Sequence, residues 1–191
     1  MSRLAVALSW ASVASCAWVV WLRCRRTGTS LPRALGLVAG SAALRDAAGG
    51  FVLGSVAVAG IFLVERIAGW IVVAGVGPSR ESLRWLALLP ASAFAEEVLF
   101  RGVLLTGLVV LLRRRWPALA AGGAMFGLAH LSNPHATPLS AVSTALGGIV
   151  YGLAFLWTDA IWAGFGLHLA WNVVQGPVLG FPVSGIDMGG S

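Results

Sequence analysis

Apolar runs long enough to cross a bilayer follow one another almost without pause in this chain, and arginine separates them. The run from about residue 4 to 22 ends in Arg23, Arg25 and Arg26, with Arg33 and Arg45 soon after, and a later run ending at Leu112 meets Arg113, Arg114 and Arg115. A transmembrane helix needs about 20 predominantly apolar residues. A water-soluble domain carries roughly 25% charged residues. Here 58% of the 191 residues are hydrophobic, 10% are charged and the mean hydropathy is +0.87. The expected fold is an all-α, polytopic transmembrane helix bundle of about six spans, with no room for a separate soluble domain. The net charge of +6 comes wholly from arginine placed between the apolar runs. It therefore reads as topology-setting charge facing a lipid bilayer, not as a nucleic-acid surface.

The runs suggest boundaries. A first span covers about residues 4–22. Residues 47–76 read as one tilted helix, with Glu65 and Arg66 forming a local ion pair. Gly77 and Pro78 break the chain, and residues 79–86 read as interfacial. A third span, about residues 86–112, is followed by spans near 117–131, 139–157 and 160–174, then by a Gly- and Pro-rich tail expected to be irregular. Placing both arginine clusters in the cytoplasm puts the two termini outside. Cys16 and Cys24 would lie about 12 Å apart on one helix, too far for a disulfide. Residues 13–16 look like a lipoprotein cleavage box, but the apolar run continues to Leu22, which favours an uncleaved span. Gly50/Gly54, Gly123/Gly127 and Gly148/Gly152 form Gly-x-x-x-Gly pairs of the kind that let membrane helices approach closely.

Within the spans the polar residues are few. Glu96 and Glu97 sit side by side in ASAFAEEVLFRGVLL, and Arg101 lies four residues past the second. Carboxylates in a membrane span are costly and by default mark a functional site. Glu97 and Arg101 share a helix face, so they can neutralise one another. Glu96 lies about 100° away around the helix. Two further groups follow: Phe126 with His130 (FGLAH), and His168 with Asn172 (HLAWN), each pair one turn apart. Singly, each has a plain structural account, as a staple, an interfacial histidine or an interhelical amide. Converged, they suit peptide hydrolysis. A carboxylate and an imidazole can draw a proton from water, and a second imidazole and an amide can stabilise an oxyanion.

The order EExxxR, FxxxH and HxxxN in successive apolar helices resembles the CPBP family of intramembrane proteases, which comprises type II CAAX-processing endopeptidases and bacteriocin-processing or Abi-like proteins. The flanking FRG and the terminal GFPVSG fit as well. The resemblance divides the chain into N-terminal transmembrane helices without motif (1–80), a protease core (81–185) and a short tail (186–191), with the active site among the last four spans. It implies that Glu96 and His130 activate water, that His168 and Asn172 stabilise the oxyanion, and that Glu97, Arg101 and Phe126 support them. It implies an integral membrane endopeptidase acting on a peptide or protein at the membrane. The composition suggests a bacterial inner membrane.

Three alternatives stay open. No cofactor is expected, but Glu96, His130 and His168 are also a zinc-type donor set, although nothing resembles H-E-x-x-H and His130 and His135 are wrongly spaced for it. Buried Glu and His also carry protons in transporters, against which no internal repeat is apparent. A catalytically silent immunity or scaffold protein of the same fold is the third. Oligomeric state has no sequence signal.

Overall fold

The computed structural model describes residues 3–73, 77 and 79–188. The chain forms α1 (Arg3–Thr27), a short α2 (Leu31–Ala34), α3 (Ser41–Ile67) and α4 (Arg80–Glu97). The last runs without a break through a π-helical segment (Val98–Leu105) into α5 (Thr106–Leu112). Then come α6 (Arg115–His130), α7 (Pro138–Thr158) and α8 (Trp162–Val173), which closes in a second π-helical turn, Val174–Val178. Among the described residues the β structure is one bridge between Val183 and Ile186. The fold is all-α.

Two boundaries differ from expectation. α3 ends at Ile67 and does not reach residue 76, because Gly69 adopts φ 74° and turns the chain, with the Trp70 N–H reaching back to the Glu65 carbonyl. A left-handed glycine one or two residues past the last helical turn is a common stop. Residues 74–76 lie outside the described residues. Glu65 and Arg66 form no ion pair in the structure; as helical neighbours they diverge by about 100°. The second difference is at residues 79–86, which are no separate interfacial piece. Ser79 caps α4 reciprocally with Ser82, each side chain bonding the other's backbone N–H at 2.9 Å. This capping box satisfies orphan amides and starts the helix there. From Arg80 to Leu112 the helical path is about 50 Å long.

Two helices, Ser41–Ile67 and Pro138–Thr158, are each long and apolar enough to cross a membrane. Their outward faces are built for lipid. α3 exposes Val52, Leu53, Val56, Leu63 and Val64 while burying Gly50, Gly54 and Val58. α7 exposes Leu139, Val142, Leu146 and Val150. Water would penalise such an arrangement, which leaves large apolar patches uncovered. Trp70, Trp116 and Trp157 are also exposed, at helix ends, where amphipathic indoles anchor at headgroup level.

The glycine pairs are where helices touch. A Cβ on Gly50 would collide with the Ala163 carbonyl of α8, and one on Gly54 would sit 2.9 Å from the Leu167 carbonyl oxygen. On the other side of the bundle Gly123 and Gly127 meet Ala145 of α7, while Gly148 and Gly152 of α7 meet Phe126 and Leu119 of α6. Gly107 of α5 lies against Cys16 of α1. Cys16 and Cys24 are free and buried. The first three helices therefore carry no motif yet are packed into the bundle: α3 holds α8, and α1 holds α5.

Gly50→Val tests this packing. Its side chain meets backbone, which cannot swing aside, so a loss of about 1–3 kcal/mol is expected. Thermal unfolding in detergent measures it, with Gly49→Val, at an open position, as the control.

Candidate active site

The site is organised around Glu97. Its carboxylate has no exposure to solvent, and Arg101, also buried, lies one turn on with Nη1 3.0 Å from Glu97 Oε1. The guanidinium is held on its other edges too. Nη2 donates to the Gly148 carbonyl at 3.1 Å, and the guanidinium carbon stands 4.4 Å from the centre of the Phe126 ring and 5.2 Å from that of Tyr151. Cation–π contacts of this kind are strongest when desolvated. The π-helical segment begins just after Glu97, and its wider turn leaves the Arg101 carbonyl to accept from Thr106 Oγ1 at 3.2 Å. Such π segments often occur at functional sites.

Glu97 also fixes a histidine. His168 Nδ1–H donates to Glu97 Oε1 at 2.9 Å, and the ring lies nearly flat on Tyr151, 4.8 Å between centroids with 12° between planes. A carboxylate only accepts, so the proton sits on Nδ1 and Nε2 is turned the other way. His130, the last residue of α6, is set by the same logic: its Nδ1–H donates to the Phe126 carbonyl at 2.7 Å. Phe126 packs against His130 at 4.5 Å with the rings tilted by 58°, and meets His168 edge-on at 5.8 Å. One ring thus packs against both imidazoles and the arginine.

The two free Nε2 atoms point at one oxygen. Glu96 Oε2 lies 3.5 Å from His130 Nε2 and 3.8 Å from His168 Nε2, and it is buried without a hydrogen bond from the protein. The other carboxylate oxygen, Oε1, accepts from Ser92 Oγ at 3.1 Å. Asn172 is buried one turn beyond His168. Glu96, His130, His168 and Asn172 face a common cavity of about 180 Å³, room for several waters at roughly 30 Å³ each.

Part of the cavity wall comes from the tail expected to be irregular. Val183, Ser184, Ile186 and Met188 line it, and Val183 and Met188 are buried with Leu89 of α4. Asn133 Nδ2 donates to the Ser184 carbonyl at 2.7 Å, and the His135 N–H to the Gly185 carbonyl at 3.1 Å. Gly185, at φ 82°, makes the turn that brings this backbone close.

The structure thus brings together every residue singled out from the sequence: Glu96, Glu97, Arg101, Phe126, His130, His168 and Asn172. His135 stays outside, exposed in the α6–α7 connection. Two participants were missed. Ser92 is one turn before Glu96 on the same face, a spacing visible in the sequence. Tyr151 is the chain's one tyrosine, placed in an otherwise apolar span. Glu96 thus faces Ser92 and two histidines.

Removing one partner of a buried ion pair strands the other, at about 3–5 kcal/mol. Glu97→Ala and Arg101→Ala are each expected to lower thermal stability and yield in detergent by that order. Ser92→Ala, which removes one hydrogen bond to a partly exposed carboxylate, should shift the same melting curve by only about 1 kcal/mol.

Family models give one match: residues 78–174 fit the family described as type II CAAX prenyl endopeptidase, Rce1-like. No curated protein and no solved structure matches the chain. The matched segment spans α4 to α8, half of the chain, and includes all seven converging residues. By that match the chain belongs to the Rce1-like, type II CAAX prenyl endopeptidase family of membrane-embedded proteases.

Proposed function

We propose that this protein is an intramembrane endopeptidase, crossing a bacterial inner membrane about six times, that hydrolyses a peptide bond with a water activated by Glu96 and His130. The observation that carries the reading is the pair of acceptors at the cavity. With Nδ1–H given to Phe126, a neutral His130 offers a lone pair at Nε2, 3.5 Å from a carboxylate oxygen that has no donor. Two converging acceptors call for a molecule with two protons to give, and water has two. Its oxygen then faces the cavity as the nucleophile. As it attacks a peptide carbonyl, its proton passes to the Glu96–His130 pair, a step worth about 10²–10⁴-fold in rate.

His168 and Asn172 line the same cavity from α8 and are the candidates for stabilising the oxyanion that forms. Asn172 offers a neutral amide N–H. His168, with Nδ1 engaged by Glu97, presents Nε2 on the Glu96 side. Glu97, Arg101, Phe126 and Tyr151 hold these groups in place, which lowers the reorganisation needed at the moment of reaction. The substrate is a membrane-apposed peptide, such as an anchored C-terminal segment, a leader or a sorting tail.

Zinc is the second reading, and one measurement favours it. The 3.5 and 3.8 Å separations from Glu96 Oε2 to the two Nε2 atoms approach the edge of about 3.4 Å in a tetrahedral site with bonds of about 2.0–2.1 Å. Both Nδ1–H groups are also given to acceptors, as in most zinc-bound histidines. Glu96, His130 and His168 would be the ligands, and the ion would polarise water. A chelator separates the two readings.

Two measurements test the proposal. Comparing membrane-protein C-termini in cells with and without the chain identifies the cleaved peptide. On that peptide Glu96→Gln should reduce kcat by about 10²–10⁴-fold with an unchanged melting curve, and undiminished turnover would refute the mechanism. The wild-type enzyme should keep its activity in a chelator such as 1,10-phenanthroline; loss, with recovery on adding zinc, would establish the metal reading instead.

A further inference from the structure

We infer that the catalytic cavity opens to the extracytoplasmic side of the membrane, so its substrate class is peptide segments already exported across the bilayer. This rests on the peptidase reading above and adds the side from which the peptide comes.

Contacts sort the helix ends into two faces. On one, the α2 region meets the α7–α8 turn: the Ile161 N–H donates to the Gly36 carbonyl at 3.1 Å, and Trp162 Nε1 donates to the Val38 carbonyl at 2.7 Å. Here Arg23 of α1, Arg33 of α2, Arg115 of α6 and Asp159 line a second cavity of about 290 Å³. On the other face the α6–α7 connection meets the tail, through Asn133 and His135, and Phe62 of α3 meets Phe181 edge-on at 6.3 Å. The catalytic cavity is lined by that connection and that tail. α6 joins the two faces, from Arg115 at the first to His130 at the second, a length of about 24 Å.

Charge separates the faces as cleanly. The first gathers Arg23, Arg25, Arg26 and Arg33 around α2, Arg45 at the start of α3, and Arg113, Arg114 and Arg115 between α5 and α6. Only Asp46 and Asp159 oppose them. The second holds Arg3, Arg66, Arg80 and Arg84 against Glu65, Glu81 and Asp187, a near balance. Arginine and lysine near span ends are retained in the cytoplasm, and short connections like these are the ones that obey the rule. The arginine face is therefore cytoplasmic, and the face with the catalytic mouth is outside. A peptide segment reaching Glu96 without crossing the bundle comes from that outer side.

Single cysteines decide it. Wild-type Cys16 and Cys24 are buried, so the unmodified chain is the baseline for a membrane-impermeant maleimide. Ser132→Cys and His135→Cys lie exposed at the catalytic mouth, and Ser30→Cys lies exposed beside the arginines. Labelling is read in intact cells of a bacterial host, relative to the same cells after permeabilisation. The expected result is at least tenfold stronger relative labelling in intact cells for either mouth position than for Ser30→Cys. Equal labelling, or protection of the mouth positions until permeabilisation, overturns the inference. The readout needs no catalysis. Full activity in Glu96→Gln would therefore sink the hydrolase reading and leave the orientation standing, while reversed labelling would do the opposite.

Discussion

A carboxylate with no access to solvent, facing a guanidinium 3.0 Å away, is the constraint that the rest of this structure answers. Either group alone would be intolerable inside an apolar bundle. Together they still need partners on their other edges, and three further helices supply them. Gly148 of α7 gives a carbonyl, Phe126 of α6 a ring face, Tyr151 of α7 another, and His168 of α8 an N–H. Satisfying one ion pair therefore fixes the mutual positions of α4, α6, α7 and α8. The groups that do this are the ones that aim both imidazoles at Glu96.

Such convergence requires close backbones. With side chains at Gly123, Gly127, Gly148 and Gly152, α6 and α7 would stand farther apart, and Phe126 would lose its close fit against α7. In lipid no hydrophobic force gathers helices, so close van der Waals contact and interhelical hydrogen bonds carry the association. The glycines thus serve the site as directly as the charged residues do. α3 makes the same kind of contact with α8, through Gly50 and Gly54 on one side and Gly166 on the other, which is how a region without catalytic motif steadies His168 and Asn172.

Much of the site was legible because charge is so scarce here. When few strongly polar residues occupy spans, their spacing nearly dictates their use, and the i,i+4 pairs EExxxR, FxxxH and HxxxN gave the faces correctly. Helix ends were harder to read. The stop at Gly69 lies within an apolar stretch, and a backbone turn does not alter hydropathy. The start at Ser79 depends on a reciprocal hydrogen bond with Ser82 inside a segment whose charges suggested an interface. Hydrogen bonds made by uncharged groups were missed altogether, since Ser92 and the Gly148 carbonyl carry no signal in composition. Where the tail packs was illegible for a related reason. Gly and Pro indicate irregular backbone, and irregular it is, but they say nothing of where it packs.

That tail sets a condition on turnover. With Val183 and Met188 buried against Leu89, and with carbonyls of residues 184 and 185 tied to the α6–α7 connection, the space beside Glu96 has room for water but falls short of the 300–1,000 Å³ typical of ligand pockets. Residues 183–188, a tight turn closed by the Val183–Ile186 bridge, form one wall of that space and so limit how much of a peptide can lie beside Glu96. The last described residues of the chain thus shape the very space that the polar groups of α4, α6 and α8 face.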